Sequence, residues 1–295
     1  MKRSVFVQQN GTECDFNNSD SWVILSPIEQ NIKRKIEAVG TPLKDWDINI
    51  YRGVLTGYNE AFIISTEKRE EILANCQSED ERTRTAELIR PILRGRDIKR
   101  YGYEWADLWI INTHNGIKGK LPRIDVNEYP TIKAHLDQYW DKISKRADKG
   151  DTPYNLRNCA YMEEFNQPKM LYPDIMRLPR SKEKMNLYPY FVIDKKQYIP
   201  EATLFMMTGK SIELICNFLC SQIGFFTFTR FYMGPVFDDT GFRYKKEYLL
   251  NLPIPYIENQ DSETYDNILS ITLGLTENEK ELIFSYKDTL LFDDK

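Results

Sequence analysis

The sequence has few of the residues on which metal and redox chemistry depend. It contains two histidines, His114 and His135, and five cysteines in 295 residues. The cysteines are Cys14, Cys76, Cys159, Cys216 and Cys220. No pair of them has the spacing of a zinc site, so we expect no metal centre. Their odd number and irregular spacing indicate reduced thiols, as in a cytoplasmic protein, rather than a disulfide framework.

Long apolar runs are also missing. The mean hydropathy is -0.54, and no run reaches the length of a membrane-spanning helix. The first residues turn polar at Gln8, so we expect no signal peptide. Gly53 and Gly57 form a Gly-x-x-x-Gly pattern. This pattern lacks the spacing and the strand-to-helix context of a phosphate-binding loop.

Charge is unevenly distributed along the chain. The formal net charge is -4, but residues 258–295 hold 10 acidic and 3 basic side chains. The remaining residues therefore carry 37 basic and 34 acidic side chains, which is a small positive excess. An acidic tail on a mildly basic body permits a local surface for a polyanion.

Two dense clusters stand out in the first third of the chain, at 52–64 and 89–101. Each places glycines and polar residues between short runs of β-forming residues, which is typical of tight turns between strands. The second cluster has five cationic side chains against one anion, Asp97. Such a local excess favours a polyanionic partner.

These clusters resemble a known module. The pairing of GVLTGYNEAFIIS (53–65) with LIRPILRGRDIKRY (88–101) is similar to the TaqI-like C-terminal specificity domain. That domain is the DNA target-recognition region of adenine-specific methyltransferases and Type II restriction-modification enzymes. The segments EYPTIKAHLDQYWDKISKR, EEFNQPKMLYPDI, LICNFLCSQIGFFTFTRF and LLNLPIPYIE extend the resemblance over about 22–283. Type I specificity subunits share the last two segments more loosely.

The resemblance implies an α+β fold, with a mixed-sheet target-recognition domain, flanking helices and a helical C-terminal extension. Residues 1–21 would be a lead-in, 22–208 the recognition domain, and 209–295 a helical part that packs on it and on a partner domain. The partners would be double-stranded DNA and a methyltransferase domain, with or without a nuclease, in the same or another chain. The system would serve bacterial defence.

The resemblance also implies that this chain is not itself an enzyme. An adenine methyltransferase needs a glycine-rich turn for its cofactor and an (Asp/Asn/Ser)-Pro-Pro-(Tyr/Phe) loop for the flipped base. The sequence has neither a Gly-x-Gly turn nor a Pro-Pro dipeptide. We therefore expect no cofactor in this chain, with S-adenosylmethionine and Mg²⁺ in the parent or partner catalytic domains.

By resemblance, the DNA cleft would lie at the turn 56–59 and at 93–101. The candidate contacts there are Thr56, Gly57, Tyr58, Asn59, Arg94, Arg96, Lys99 and Arg100. Arg94 and Arg96 flank Gly95, so both side chains would point the same way in an extended segment. The alternative is that these residues hold the fold together, with Arg96–Asp97 or Arg94–Glu60 as ion pairs.

A motif that is common to domains reading different sequences is poorly suited to discriminate between bases. We therefore expect the base-reading residues in four loops, at 114–123, 152–157, 177–184 and 232–243. Their candidate DNA contacts are Lys118, Lys120, Arg123, Arg177 and Arg180.

Three other interpretations stay open. Pro173-Asp174 followed by Asp194-Lys195-Lys196 matches a loose signature of Mg²⁺-dependent nucleases, in which two carboxylates hold the metal. The chain could instead be a Type I-like specificity subunit. It could also be a protein-docking scaffold without DNA binding.

Several helices are predicted from capping signals and periodicity. Ser26-Pro27 with Glu29 begins one that ends at Gly40. Pro130 begins another, with an apolar stripe through Trp140 and Ala147 to an end at Gly150. The run 211–226 is apolar throughout and predicts a buried helix, whereas Thr85 to Leu88 predicts the start of a helix. Two helices are predicted near the C-terminus, the second with a Thr276…Glu279 capping box.

Overall fold

A computed structural model describes residues 25–179, 182–233, 241–258 and 264–290. The chain forms two compact units, each assembled from segments that are separate in sequence. What we call the helical unit takes its described residues from 25–47, 175–189 and 213–290, with the gaps given above; the sheet unit takes them from 48–174 and 190–212. The functional division predicted from the sequence, into 22–208 and 209–295, stays a prediction.

The strands are short. In chain order they are β1 (Thr41–Pro42), β2 (Ile48–Arg52), β3 (Ile63–Ser65), β4 (Ile89–Leu93), β5 (Ile98–Lys99), β6 (Gly102–Tyr103), β7 (Leu108–Ile111), β8 (Lys169–Pro173), β9 (Ile175–Arg177), β10 (Val192–Asp194), β11 (Ile199–Pro200), β12 (Leu204–Gly209), β13 (Gly241–Arg243) and β14 (Pro253–Ile254).

The helices lie before, between and after these strands. They are α1 (Pro27–Val39), α2 (Asn59–Phe62), α3 (Thr66–Ala74), α4 (Glu79–Leu88), α5 (Pro130–Asp137), α6 (Trp140–Ile143), α7 (Ile212–Cys220), α8 (Gln222–Thr227), α9 (Lys246–Leu249), α10 (Tyr265–Thr272) and α11 (Glu277–Leu290).

Two four-stranded sheets form the framework of the sheet unit. One has the order β10-β8-β12-β2, and all its pairs are antiparallel. The other has the order β11-β4-β7-β3 and is mixed, because β11 runs parallel to β4. Mixed sheets with flanking helices confirm the predicted α+β class and its helical C-terminal end.

Each sheet contributes to its own apolar core. Ile89, Ile110 and Ile111 of the mixed sheet pack with Ile132 and Leu136 of α5. The antiparallel sheet contributes a second cluster, built around Leu171, Val192, Leu204 and Met206. All five residues of β8 are buried, so this strand is covered on both faces. The burial of both cores favours folding in proportion to the apolar area removed from water.

In the helical unit, α1 begins as its sequence predicts. The Ser26 hydroxyl accepts a hydrogen bond from the Glu29 amide, and the Glu29 carboxylate accepts one from the Ser26 amide at 2.8 Å. Ile32 and Ile36 are fully buried, and α1 ends at Gly40. The reciprocal capping satisfies amides that the first turn would otherwise leave unpaired, which confirms the predicted helix.

The C-terminal helices are part of the core of the helical unit. Tyr286 of α11 packs edge-on against Phe226 of α8, with 5.1 Å between the ring centroids. Leu269 of α10 and Ile283 of α11 are buried. A truncation that removes 258–295 would therefore expose apolar side chains of this unit, and such a chain is a poor test of partner docking.

Three predicted helices differ from those observed. Thr85 to Leu88 is the end of α4, whose cap is Ser78, and the chain continues directly into β4. The helix from Pro130 breaks at 138–139, which leaves Trp140 at 45% exposure instead of in a buried stripe. The reason is that this stripe would require one unbroken helix, whereas Tyr139 has left the helical conformation.

The apolar run at 211–226 is buried as predicted, but it divides at Ser221 into α7 and α8. The Ser221 hydroxyl caps α8 by accepting a hydrogen bond from the Gly224 amide at 2.8 Å. A Cβ on Gly224 would lie 1.8 Å from the Phe218 carbonyl oxygen, so the bend requires glycine there.

No single helix in the described ranges is both long and apolar enough to cross a membrane. One bent pair, Ile212–Cys220 with Gln222–Tyr232, meets the length and composition criteria only when its two parts, which meet at 77°, are taken together.

Glu279 ties α11 to α1 and predicts a pH dependence of stability. Its carboxylate, 2% exposed, accepts hydrogen bonds from Lys35 at 2.7 Å, from Asn31 and from the Thr276 amide. Burial alone would raise the pKa of Glu279, but these hydrogen bonds outweigh it and hold the pKa at about 2, against 4.5 ordinarily. The stabilisation is therefore present above pH 4.5 and is lost as the pH falls towards 2.

We expect Glu279→Gln to lower the free energy of unfolding by about 3 kcal/mol at pH 7, and by much less near pH 2. Urea denaturation at several pH values measures this difference. Glu277→Gln is the matched control, because Glu277 is exposed on the same turn and pairs with the neighbouring Lys280. Equal losses for the two variants at pH 7 would contradict the assignment.

Candidate nucleic-acid interface

The basic segment of the sheet unit folds into a hairpin. The chain leaves β4 at Leu93 and makes a 3-10 turn over Gly95–Asp97. It then forms β5 and β6, with Arg100 and Tyr101 at the tip. We call residues 94–103 the basic hairpin. Because 95–97 is a turn, the segment is not extended, and the expectation that Arg94 and Arg96 point the same way does not hold.

Arg94 is a structural residue of this hairpin. Its Nε and Nη2 donate to the two oxygens of Asp97 at 3.1 and 2.9 Å, and its backbone amide also donates to Asp97 at 2.8 Å. The hydrogen bond to Asp97 raises the pKa of Arg94. Asp97 is buried, so Arg94 is its counter-charge. The alternative interpretation expected a structural ion pair here, either Arg96–Asp97 or Arg94–Glu60. The structure has an ion pair at this turn, but it joins Arg94 and Asp97.

The other cations of the basic hairpin are more accessible. The side chain of Arg96 is exposed and has no ion-pair partner among the described residues. Lys99 lies 3.3 Å from Glu104. The Arg100 guanidinium lies 5.3 Å from the centre of the Tyr101 ring, and Tyr101 is 40% exposed. The hairpin therefore presents positive charge beside an exposed aromatic ring, which suits phosphate and base contacts.

The turn at Thr56–Asn59 is held in place by hydrogen bonds from a buried arginine. Arg146, 7% exposed, donates to the carbonyl oxygens of Thr56, Asp148, Pro153 and Asn155. Burial lowers the pKa of Arg146 to about 10, so it stays protonated at neutral pH. Its guanidinium also lies 4.4 Å from the centre of the Phe62 ring.

In this packing, the four candidate residues of the turn differ in how exposed they are to solvent. Thr56 is 1% exposed and donates to Asn59, so its side chain cannot reach DNA in this conformation. Gly57 has a φ of +71°, which other residues adopt at a cost. Asn59 is exposed and Tyr58 is half-buried, so these two side chains are the accessible ones.

The loop at 114–123 presents its basic residues to solvent, but two of them have acidic neighbours. Lys120 pairs with Glu163, and Arg123 lies 3.6 Å from Asp151. Lys118 is exposed and has no ion-pair partner in the part of the chain that the structure describes. These exposed pairs are weak in water, so they would not prevent a phosphate from displacing the carboxylate.

The two remaining candidates belong elsewhere. Arg177 is exposed at the end of β9, in the helical unit. Arg180 lies outside the described residues, as do parts of the predicted loops at 177–184 and 232–243.

Asp194, one of the two carboxylates of the nuclease signature, is engaged in a buried ion pair. Asp194, 1% exposed, lies 2.7 Å from the Nζ of Lys169, which is itself fully buried. The Asp194 carboxylate also accepts the amides of Lys196 and Tyr198 at 2.8 and 2.9 Å. Burial lowers the pKa of Lys169, while Asp194 opposes that shift. The carboxylate is therefore occupied by a structural ion pair in this arrangement.

Sequence reasoning missed two buried cations: Arg146, which holds the turn at 56–59, and Lys169, which pairs with Asp194 inside the sheet unit. Their acceptors lie on segments that meet them only in the folded chain. A basic residue inside a charged stretch such as 141–151 has no local signal that distinguishes it from its exposed neighbours.

No protein-family model matches the chain, and no curated protein does. Solved structures do show a likeness of fold. The Type IIL restriction-modification enzyme MmeI, solved in complex with DNA, superposes with a TM-score of 0.50 at 14% identity. The match covers 85% of this chain and 31% of that one, so this chain spans about a third of that enzyme. The Type IIG restriction endonuclease BpuSI has a TM-score of 0.47 at 14% identity, over 91% of this chain and 30% of that one. The chain therefore shares its fold with a part of MmeI.

We expect Asp194→Asn to lower the free energy of unfolding by about 3–5 kcal/mol, because it leaves Lys169 as a buried charge without a counter-ion. Chemical denaturation measures the loss. Asp141→Asn, at an exposed aspartate in α6, is the control and should change stability by less than about 0.5 kcal/mol. An Asp194→Asn variant as stable as wild type would show that the pair is not needed for the fold.

Proposed function

We propose that this chain is the DNA target-recognition domain of a Type II restriction-modification enzyme, of the TaqI-like specificity class. The observation that carries the proposal is the fold shared over 85% of the chain with part of MmeI, an enzyme solved on DNA. The basic hairpin supports it, because that hairpin displays Arg96 and Arg100 beside an exposed tyrosine.

On this proposal, the contacts to DNA divide into two groups. The phosphate contacts are made first by Arg96 and Lys118, which are exposed cations of the sheet unit, and then by the half-buried Lys99 and Arg100. Arg94 and Thr56 hold the hairpin and the turn in place from inside. Tyr58 and Asn59 remain available for contacts to sugars or base edges.

Sequence discrimination then falls to the loops. Direct readout needs side chains that reach donors and acceptors in a groove. The loop at 114–123 is suited to this, because its exposed tip carries Lys118 and Lys120 and has Gly119 at a φ of +76° with open space around it. Changes in such a loop would alter the recognised sequence without disturbing the two sheets.

We infer that catalysis belongs to another domain. The chain corresponds to about a third of MmeI, which leaves most of such an enzyme to other segments. A methyltransferase domain, in the same or a separate chain, would supply S-adenosylmethionine chemistry, and a nuclease domain would supply Mg²⁺. The occupied carboxylate of Asp194 supports this division over a nuclease within this chain.

The salt dependence of DNA binding tests the proposal. A protein that neutralises phosphates releases counter-ions, so log K falls linearly with log salt concentration. We expect Arg96→Ala to weaken binding uniformly across sequences and to reduce that slope by about one. Fluorescence anisotropy with a labelled duplex at several salt concentrations measures both.

Arg34→Ala is the matched control, because Arg34 is an exposed arginine on α1 in the helical unit. It should leave the slope unchanged, and neither variant should shift the unfolding transition. Arg94→Ala, in contrast, should lower stability, because it leaves Asp97 buried without its partner. No salt-sensitive binding of the wild-type chain to any duplex would refute the proposal.

The inference that catalysis belongs to another domain is tested by assaying this chain alone. With duplex DNA, radiolabelled S-adenosylmethionine and Mg²⁺, we expect neither methyl transfer nor strand cleavage. Addition of a cognate methyltransferase domain should restore methyl transfer at specific sites. Cleavage by the isolated chain that survives Asp194→Asn would place a nuclease in this chain at some other position.

A further inference from the structure

The sheet unit contains a pocket that the proposed DNA contacts do not use. Its volume is about 280 Å³, near the lower end of the range for small-molecule sites. The mixed sheet, the loop at 114–123 and the short helical turn at Met162–Asn166 line it, and it is partly open to solvent. Its apolar lining is made of Leu88, Leu121, Tyr129, Met162, Phe165 and Ile199.

Polar side chains also line the pocket: Asn112 is half-buried and Glu87 is exposed at its opening. The side-chain amide of Asn112 and the carboxylate of Glu87 line the pocket and have no hydrogen-bond partner among the described residues. His114 also lines it, and its Nδ1 accepts the Gly116 amide at 3.2 Å. The ring proton of the neutral imidazole is therefore on Nε2, and burial lowers the pKa of His114, so the neutral form prevails at pH 7.

The cations of the pocket are already engaged. Arg90 donates to the side chain of Asn166 and to the Gln197 carbonyl, both at 3.2 Å. Arg84 donates to Asp80 at 3.0 Å and to the Glu128 carbonyl at 3.3 Å. Glu87 adds a negative charge, which would repel an anion. The pocket is therefore not a phosphate site, and the groups left free are an amide, an imidazole N–H and a carboxylate.

A flat, uncharged ring with both donors and acceptors on its edge fits this set. The amide of Asn112 can donate and accept, the imidazole of His114 donates, and Glu87 accepts. The faces of such a ring would lie against the half-buried apolar side chains of the lining, Leu121, Tyr129 and Met162. Nucleobases have this chemistry, and they are the heteroaromatic groups that a DNA-binding protein encounters.

We propose that this pocket binds a single nucleobase, taken either from an unstacked position in DNA or as a free nucleoside. The DNA source rests on the proposed function. His114 and Leu121 belong to the loop from which we expect sequence readout, so the pocket would let that loop test one extruded base. A base already outside the helix costs least to place there, because no stacking or pairing has to be broken.

The test uses the full chain and two duplexes that differ at one position. One carries a single unpaired 2-aminopurine, and the other carries the same base paired with thymine. We expect the unpaired duplex to bind at least about tenfold more tightly, since it avoids the unstacking cost. Binding of free 2-aminopurine riboside is followed separately by saturation-transfer NMR.

Two variants probe the pocket. Asn112→Ala removes the free amide, and Leu121→Trp fills the space. Both should reduce the preference for the unpaired duplex, Leu121→Trp to none. Gln138→Ala is the control, because Gln138 is an exposed amide that does not line the pocket. Thermal unfolding of each variant verifies that the fold is kept.

The outcomes separate the two proposals. A preference that disappears in Leu121→Trp supports an extruded base, whereas riboside binding without that preference supports a free nucleoside. Equal binding of both duplexes with no riboside binding overturns the pocket and leaves DNA recognition standing. Riboside binding with no affinity for either duplex overturns the proposed function and keeps the pocket. A preference unchanged in Leu121→Trp also overturns the pocket.

Discussion

A cation that leaves water has to find acceptors, and in the sheet unit this requirement determines much of the structure. Lys169 is fully buried and is held by Asp194 and by the Phe165 carbonyl. Arg146 is held by carbonyl oxygens from the turn at 56 and the segment 148–155. In each case one side chain joins segments that are far apart in sequence, because the penalty for an unpaired buried charge leaves few other arrangements.

The same requirement decides which basic residues are available to a partner. Arg94 and Arg96 are separated by one glycine, yet Arg94 neutralises the buried Asp97 and Arg96 is exposed to solvent. A count of positive charge over 90–100 therefore overstates the charge that can meet DNA. The accessible part is the hairpin tip, where positive charge lies beside an exposed aromatic ring.

Local features were predictable where the interactions that stabilise them are local. The capping boxes at Ser26 and Thr276 join residues three apart, and both form as expected. The α+β class was expected from the resemblance to the specificity domain, and the mixed sheets with flanking helices confirm it. The break at Ser221 and the exposure of Trp140 were not predictable in this way, since each depends on how a helix meets its surroundings in the folded chain.

By itself, the sequence determined the capped helix starts at Ser26 and Thr276, the excess of positive charge near Arg96 and the absence of a glycine-rich cofactor turn. Only the tertiary structure decided the partner of each charge, the formation of the pocket beside His114 and the burial of Asp194. The physical reason is the distance along the sequence between the residues that interact. Capping and turn formation depend on neighbours within a few residues, whereas burial and ion pairing depend on segments brought together by both apolar cores.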